Sequence, residues 1–389
     1  MISPREHEAG VMLPVYGQLD LDLVDADGVH VRTADGRELM DLYGGHAVCA
    51  LGYNHPALTR ALAGKALHFQ SNAVALHERA RAAEALLSLA PAPLARVFFA
   101  NSGAEVNENA LRLACLLTGR NKVVAVEHGF HGRTAAAATV TWGARQRWYG
   151  FPNTPFDVEF VPRDDVAAAA AAVDSATAAV IVEPVQGVAG AYDLAPAFLH
   201  ALADNAAANG AMLIIDEVQT GCGRSGFGFA TERLGLQADM ITAAKSLGGG
   251  FPCAALLTTA AVANELRHGD LGTTFGGGPL AAAAISAVIE TIQRDDLLAN
   301  VRARETELQQ LAGIGPVRSV SGMGLLIGLH TDGAGATLRQ ALLARGFLTG
   351  GSAAPNVTRL LPPLTLSAEH VAALRDALID IGDDAHAGL

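Results

Sequence analysis

Two short apolar runs, each ending in charge, constrain this chain more than anything else in it. The first, Ala211-Met-Leu-Ile-Ile215, ends in Asp216-Glu217-Val218-Gln219-Thr220-Gly221. The second, Asp239-Met-Ile-Thr-Ala-Ala244, delivers Lys245 and then Ser246-Leu-Gly-Gly-Gly-Phe-Pro252. Short runs bounded by turn formers suit strands buried on both faces of a parallel sheet. In such sheets active groups gather where strands end and loops begin. Taken singly, a lysine there snorkels to water and an aspartate caps a helix. Taken together on neighbouring strand ends, a buried cation and a buried carboxylate are costly unless they serve chemistry.

That pair matches one cofactor well. Pyridoxal 5′-phosphate (PLP) needs a lysine for covalent attachment and an acid for its pyridinium nitrogen. Lys245 and Asp216 fill those places. The composition agrees with an enzyme of ordinary size. A chain of 389 residues with 50% hydrophobic content predicts about two domains with large cores. A net charge of −12 argues against nucleic acid or acidic membranes as partners, though a few arginines in a cleft can still receive an anionic substrate. Cys49, Cys115, Cys222 and Cys253 are widely spaced, as reduced thiols are. The N-terminus is too polar for a signal peptide and no apolar run is long enough to span a bilayer, so a cytoplasmic location is expected.

Taken in order, residues 11–55 read as an extended arm and short hairpins, with Asp-Gly turns at Gly28 and Gly36. Leu42-Tyr-Gly-Gly-His-Ala-Val-Cys-Ala-Leu-Gly52 follows, with His46 in its middle. Helices are predicted from Pro56 to Ala66 and from Glu78 to Leu89. Val97–Ala100 is a strand, and Asn101-Ser102-Gly103-Ala104-Glu105 leads from it into a helix to about Leu117. Strand, small polar turn and helix make a phosphate cradle, because free N–H groups and the positive helix end meet the anion. An ordinary N-cap by Ser102, with Glu105 completing a capping box, is the plainer alternative.

Val123–Val126 leads to Gly129-Phe130-His131-Gly132-Arg133-Thr134, where an aromatic can stack on a pyridine ring and an arginine can fork a carboxylate. Glu127, His128 and His131 are poorly spaced for a metal, and no metal site is expected. Ala179-Val-Ile-Val-Glu183-Pro184-Val-Gln186-Gly187 is a further buried strand with polar groups at its end. Alternation of strands and helices over 95–260 argues an α/β core. A long helix from about Leu280, a strand at Gly324–Leu329, helices near 335–345 and 368–381, and Arg359 in an apolar strand suggest a smaller α+β domain.

With these residues in hand, the chain resembles the class III, ornithine-type aminotransferases from roughly Leu13 to Ile381, and within them the acetylornithine and succinylornithine branch. The resemblance implies PLP fold type I: a large domain with a mainly parallel sheet at 56–280 and a small C-terminal domain at 281–389, with 1–55 forming an arm and part of the small domain. It implies that Lys245 carries PLP and shuttles a proton, and that Asp216 holds the ring nitrogen. Phe130 would stack on the ring opposite Val218, with His131 and Gln219 beside the cofactor. Ser102, Gly103 and Ala104 would cradle the phosphate, joined by Thr274 of a second copy, which makes a homodimer with shared sites.

For substrates it implies an N-acyl-ornithine, acetyl or succinyl, giving its terminal amine to 2-oxoglutarate to yield glutamate, in arginine biosynthesis. Arg133 would bind the carboxylate distant from the reacting amine and Arg359 the α-carboxylate of glutamate, with Glu183, His46 and Tyr16 as further substrate-binding candidates. Val188 stands where the family pattern has a glutamate that pairs with the arginine matching Arg359, so Arg359 is expected to be unshielded. Free ornithine, a lysine linked to a carrier protein, and the chemistry of a PLP aminomutase are the alternatives.

Overall fold

A computed structural model describes residues 3–63 and 72–387. The predicted helix to Ala66 is seen as Pro56–Ala63, and its remaining residues lie outside the described ones. At the centre is a seven-stranded sheet in the order Leu94–Ala100, Ala254–Thr259, Met240–Ala243, Met212–Asp216, Thr177–Val182, Lys122–Val126, Asp157–Val161. Ala254–Thr259 runs antiparallel to both its neighbours, while the other pairings are parallel. The continuous apolar runs follow from this position. Thr177–Val182 and Met240–Ala243 are buried at every residue, so neither face has room for a solvent-facing polar alternation. Each such Val or Ile contributes roughly 1.5–3 kcal/mol of burial.

Helices cover both faces. Gly103–Thr118 and Pro279–Arg294 both present apolar stripes, and Pro279 opens the second where a missing N–H does no harm. The sheet's two faces accordingly carry two separate apolar clusters, one around Leu202, Phe229 and Ile285 and the other around Val106, Leu111 and Ile214.

The two ends of the chain meet in a third cluster. Val29, Leu42 and Leu51 pack there with Leu325, Leu329, Leu342 and Leu374. The first hairpin is as the turn chemistry predicts: Asp27 pairs with His30 across Gly28, whose φ is +55°. The next strand, Glu38–Asp41, pairs antiparallel with His30–Thr33 on one side and in parallel with Phe347–Leu348 on the other. A second small sheet joins Val317–Met323, Leu326–Thr331 and Val357–Leu360 antiparallel. The predicted strand at Gly324–Leu329 thus lies two residues further on, because Gly324 serves the turn at φ +60°. Ahead of the extended arm, Pro4–Val11 is helical, with Ser3 and Glu6 making a reciprocal cap, an element not predicted from the sequence. Among the described residues no helix is long and apolar enough to cross a membrane.

Candidate active site

The register of the central sheet places the two charged strand ends side by side. Asp216 lies opposite Thr242, three residues before Lys245. Both border a cavity of about 400 Å³, together with Ser102, Gly103, Ala104, Phe130, His131, Arg133, Glu183, Val188, Val218 and Gln219. Lys245 holds φ at +44°, a left-handed conformation that strains a residue with a Cβ by about 1–3 kcal/mol.

Asp216 is buried and firmly held. Its Oδ2 accepts from Asn107 Nδ2 and His131 Nδ1, each at 2.7 Å, and its Oδ1 accepts from the Val218 N–H at 3.0 Å. Burial alone would lower the pKa of His131, but the hydrogen bond and charge of Asp216 outweigh it, and the net shift is upward. Glu183 takes N–H bonds from Phe130 at 2.8 Å and Gly187 at 3.3 Å, yet its burial pushes its pKa up to about 7. Burial likewise depresses the Lys245 ammonium, with Asp216 and Glu183 opposing in part.

Ser102 caps the helix Gly103–Thr118, its hydroxyl accepting from the Glu105 N–H at 3.3 Å. The capping box is only half made, because the Glu105 carboxylate turns back to the Asn101 N–H at 2.9 Å. Gly103 and Ala104 therefore bring helix-start N–H groups to the cavity wall. A side chain at Gly103 is excluded, since its Cβ would lie 2.7 Å from Val218 Cγ1.

The two candidate arginines have different settings. Arg133 is exposed at the cavity, its guanidinium 5.1 Å from the Phe130 ring centre and 5.7 Å from that of Trp148. Arg359 is 4% exposed and is not unshielded, contrary to the expectation from Val188. Two backbone carbonyls take the place of a carboxylate: Arg359 Nη1 donates to Gly187 O at 2.9 Å and Nε to Gly351 O at 2.6 Å. Val188 lines the cavity one residue beyond the first of these.

The segment around His46 is strained backbone, with positive φ from Gly44 through Ala47. His46 itself is exposed, and its ring meets the Tyr43 hydroxyl at 2.8 Å. Its carbonyl accepts weakly from Gln219 Nε2 at 3.4 Å, and the next carbonyl, of Ala47, accepts from Ser246 Oγ at 3.1 Å. Tyr16 is 79% exposed on the arm and does not reach this chain's own cavity. Thr274 is exposed and also stands away from it.

Three residues of the site were not singled out in the sequence: Asn107, Thr242 and Arg224. The signal for Asn107 was present, since it is a polar residue on the buried stripe of Val106, Ala110, Leu111 and Ala114. Arg224 is fully buried and donates to the carbonyls of Leu325, Pro362 and Ala47 and to Ser246 Oγ, so it ties the lysine turn to the small sheet. Nothing in its sequence neighbourhood marks it as buried.

Comparison with known proteins decides the family. Residues 12–381 match the family model of class III aminotransferases. The chain is a class III aminotransferase. This aminotransferase is 40% identical to the acetylornithine aminotransferase of Mycolicibacterium smegmatis, over 96% of this chain and 97% of that protein. It is 41% identical to the acetylornithine aminotransferase of Streptomyces coelicolor, over 98% and 95%. Among solved structures, the acetylornithine aminotransferase of Elizabethkingia anophelis superposes with a TM-score of 0.85 at 27% identity, over 98% of each chain.

The aminotransferase therefore depends on PLP, and the cavity fits it. A glycine-lined helix start suits the phosphate, and a lysine and a buried carboxylate flank the space for the ring. Among the described residues, the buried Oε1 of Gln219 and Nε2 of His131 have no hydrogen-bond partner.

Proposed function

We propose that this aminotransferase moves the terminal amine of an N-acyl-ornithine, N-acetylornithine foremost, to 2-oxoglutarate, producing the semialdehyde and glutamate for arginine biosynthesis. The observation that carries the reading is a pair of arginines near Lys245: Arg133, exposed and stacked, lines the same cavity, and Arg359, buried behind carbonyls, stands outside its lining but close enough for its charge to oppose that of the Lys245 ammonium. Two substrates that differ in where their carboxylate lies relative to the amine call for two such sites. The names of the relatives support the same substrate.

PLP, when bound, supplies an electron-accepting ring that makes the carbon bearing the amine acidic. The protein supplies the rest. Lys245, whose charged form burial disfavours, would attach the cofactor and carry a proton at that carbon. Asp216 would partner the ring nitrogen, the helix start at Ser102–Ala104 would receive the phosphate, and Phe130 and Val218 line the cavity that would take the ring. Arg133 takes the carboxylate of the acyl-ornithine, distant from the amine, while Arg359 takes the α-carboxylate of glutamate. Acylation removes the charge and nucleophilicity of the α-amine, so only the terminal amine reacts. His46 lies in the segment bordering the acyl end, and Glu183 braces the Phe130 and Gly187 backbone between the two arginines.

We further infer a homodimer, in which Thr274 reaches the phosphate of the opposite subunit. Exposed Phe275 beside it, and the exposed Leu13, Val15 and Tyr16 of the arm, support a surface covered by a second copy. The large domain is read as 56–280 and the small as 281–389, joined by 1–55, on the strength of the shared cluster at the chain ends. Four free thiols support a cytoplasmic location.

The test is a comparison of N-acetylornithine, N-succinylornithine and free ornithine as donors to 2-oxoglutarate. The expected result is a kcat/KM at least about tenfold higher for an acylated donor, the scale of one well-placed interaction. A preference for free ornithine would overturn it.

A further inference from the structure

Asn107 is 1% exposed and stands on the cavity wall, one helical turn after the Gly103 start. Its amide makes three hydrogen bonds. Nδ2 donates to Asp216 Oδ2 at 2.7 Å and to the His131 backbone carbonyl at 2.8 Å, and Oδ1 accepts from Thr242 Oγ1 at 2.7 Å. These partners fix which end of the amide is which. Turned over, its oxygen would face a carboxylate and a carbonyl, neither of which can donate.

Thr242 has one hydroxyl hydrogen and two acceptors in view, Asn107 Oδ1 at 2.7 Å and Asp216 Oδ1 at 3.4 Å. The short contact takes the hydrogen, so Thr242 acts on Asp216 mainly through Asn107. Strand register puts Thr242 directly beside Asp216, and the helix puts Asn107 across from both. Each group in this network lies on a regular element or is bonded to one, which leaves the carboxylate little freedom to rotate.

We propose that Asn107 is a positioning residue, held by Thr242, that fixes the orientation of the Asp216 carboxylate toward the pyridine nitrogen of PLP. The inference rests on the reading of Asp216 as the ring-nitrogen partner. A residue that only packed the helix onto the sheet would affect folding stability and nothing at the ring. A positioning residue changes how strongly PLP binds and how its ring nitrogen is protonated.

The experiment compares Asn107→Leu, Thr242→Val, the double variant and Asp216→Asn with the unaltered protein. Apo-protein melting checks folding. Titration with PLP gives affinity, and the ¹⁵N resonance of labelled PLP in the reconstituted enzyme reports the ring nitrogen. Asn107→Leu is expected to bind PLP about tenfold more weakly, the size of a lost hydrogen bond to a charged group, with the resonance moved toward that of unprotonated pyridine. Thr242→Val is expected to shift both readouts the same way by less. The double variant should be no weaker than Asn107→Leu, because the two act in series.

Lower apo-protein melting with affinity and resonance unchanged in Asn107→Leu, while Asp216→Asn alters both, would overturn the proposal and leave the reading of Asp216 intact. Should Asn107→Leu not fold, Thr242→Val decides on the same readouts. An unmoved resonance in Asp216→Asn would overturn the reading of Asp216, and the proposal with it.

Discussion

Asp216 shows at the residue scale how burial, charge and function are reconciled. A carboxylate out of water needs donors, and here Asn107, His131 and the Val218 N–H supply them. Each of these fixes its direction as well as its solvation. Asp216→Asn keeps the shape but loses the charge that is proposed to hold a pyridinium proton. Its amide nitrogen would also face the Asn107 and His131 donors, or else the Val218 N–H. The variant is expected to retain some PLP and to lose at least roughly two orders of magnitude in kcat, the scale of a lost preorganised electrostatic partner. Steady-state kinetics at saturating PLP measures this. Near-normal turnover would mean that the ring nitrogen has another partner.

At the scale of elements, the loop Gly187–Gly190 and the strand Val357–Leu360 meet at Arg359, the proposed site for the glutamate carboxylate. Arg359 rests on Gly187 O and Gly351 O, and its burial lowers its pKa, with Tyr43 and Glu183 opposing. Carbonyl acceptors hold the guanidinium without neutralising it, so an incoming carboxylate exchanges a neutral contact for a charged one. Arg359→Ala is therefore expected to slow the glutamate half-reaction by roughly tenfold or more in kcat/KM, and the acyl-ornithine half-reaction far less. Single-turnover measurements on each half-reaction distinguish them. Equal losses would show that both carboxylates share one arginine.

This arm also marks what the sequence could carry. Val188 was visible as a departure, but the carbonyl of Gly187 is invisible in a string of side chains. The strands of the central sheet were legible because burial on both faces removes polar residues from them. The helix Leu297–Gln309 leaves no clear mark in the sequence. Only Leu297, Val301 and Leu308 are buried in it, so its apolar stripe is faint among charged neighbours. Lys245, Asp216 and the Ser102–Ala104 turn are legible because they close strands; Asn107 shows in the sequence only as a polar residue on an apolar stripe, without its partner Asp216, and Arg224 depends on tertiary neighbours that no local pattern specifies.

At the scale of the molecule, Thr274 and the arm stand exposed away from this chain's own cavity, and a second copy is the proposed cover of that surface. Thr274→Ala should weaken PLP affinity in a dimer that otherwise assembles normally. Equilibrium sedimentation showing a fully active monomer would contradict the shared site. The α/β frame places Lys245 beside Asp216 at the cavity proposed to hold PLP, and the composition makes that placement direct to test. The chain has three lysines, Lys65, Lys122 and Lys245. Lys122 is occupied by Glu159 at 2.8 Å and Asp174 at 2.9 Å. Borohydride reduction of the PLP-loaded enzyme, followed by peptide mapping, should place the phosphopyridoxyl group on Lys245 in one-to-one amount. A label on Lys65 or Lys122, with Lys245 unmodified, would contradict the account at its centre.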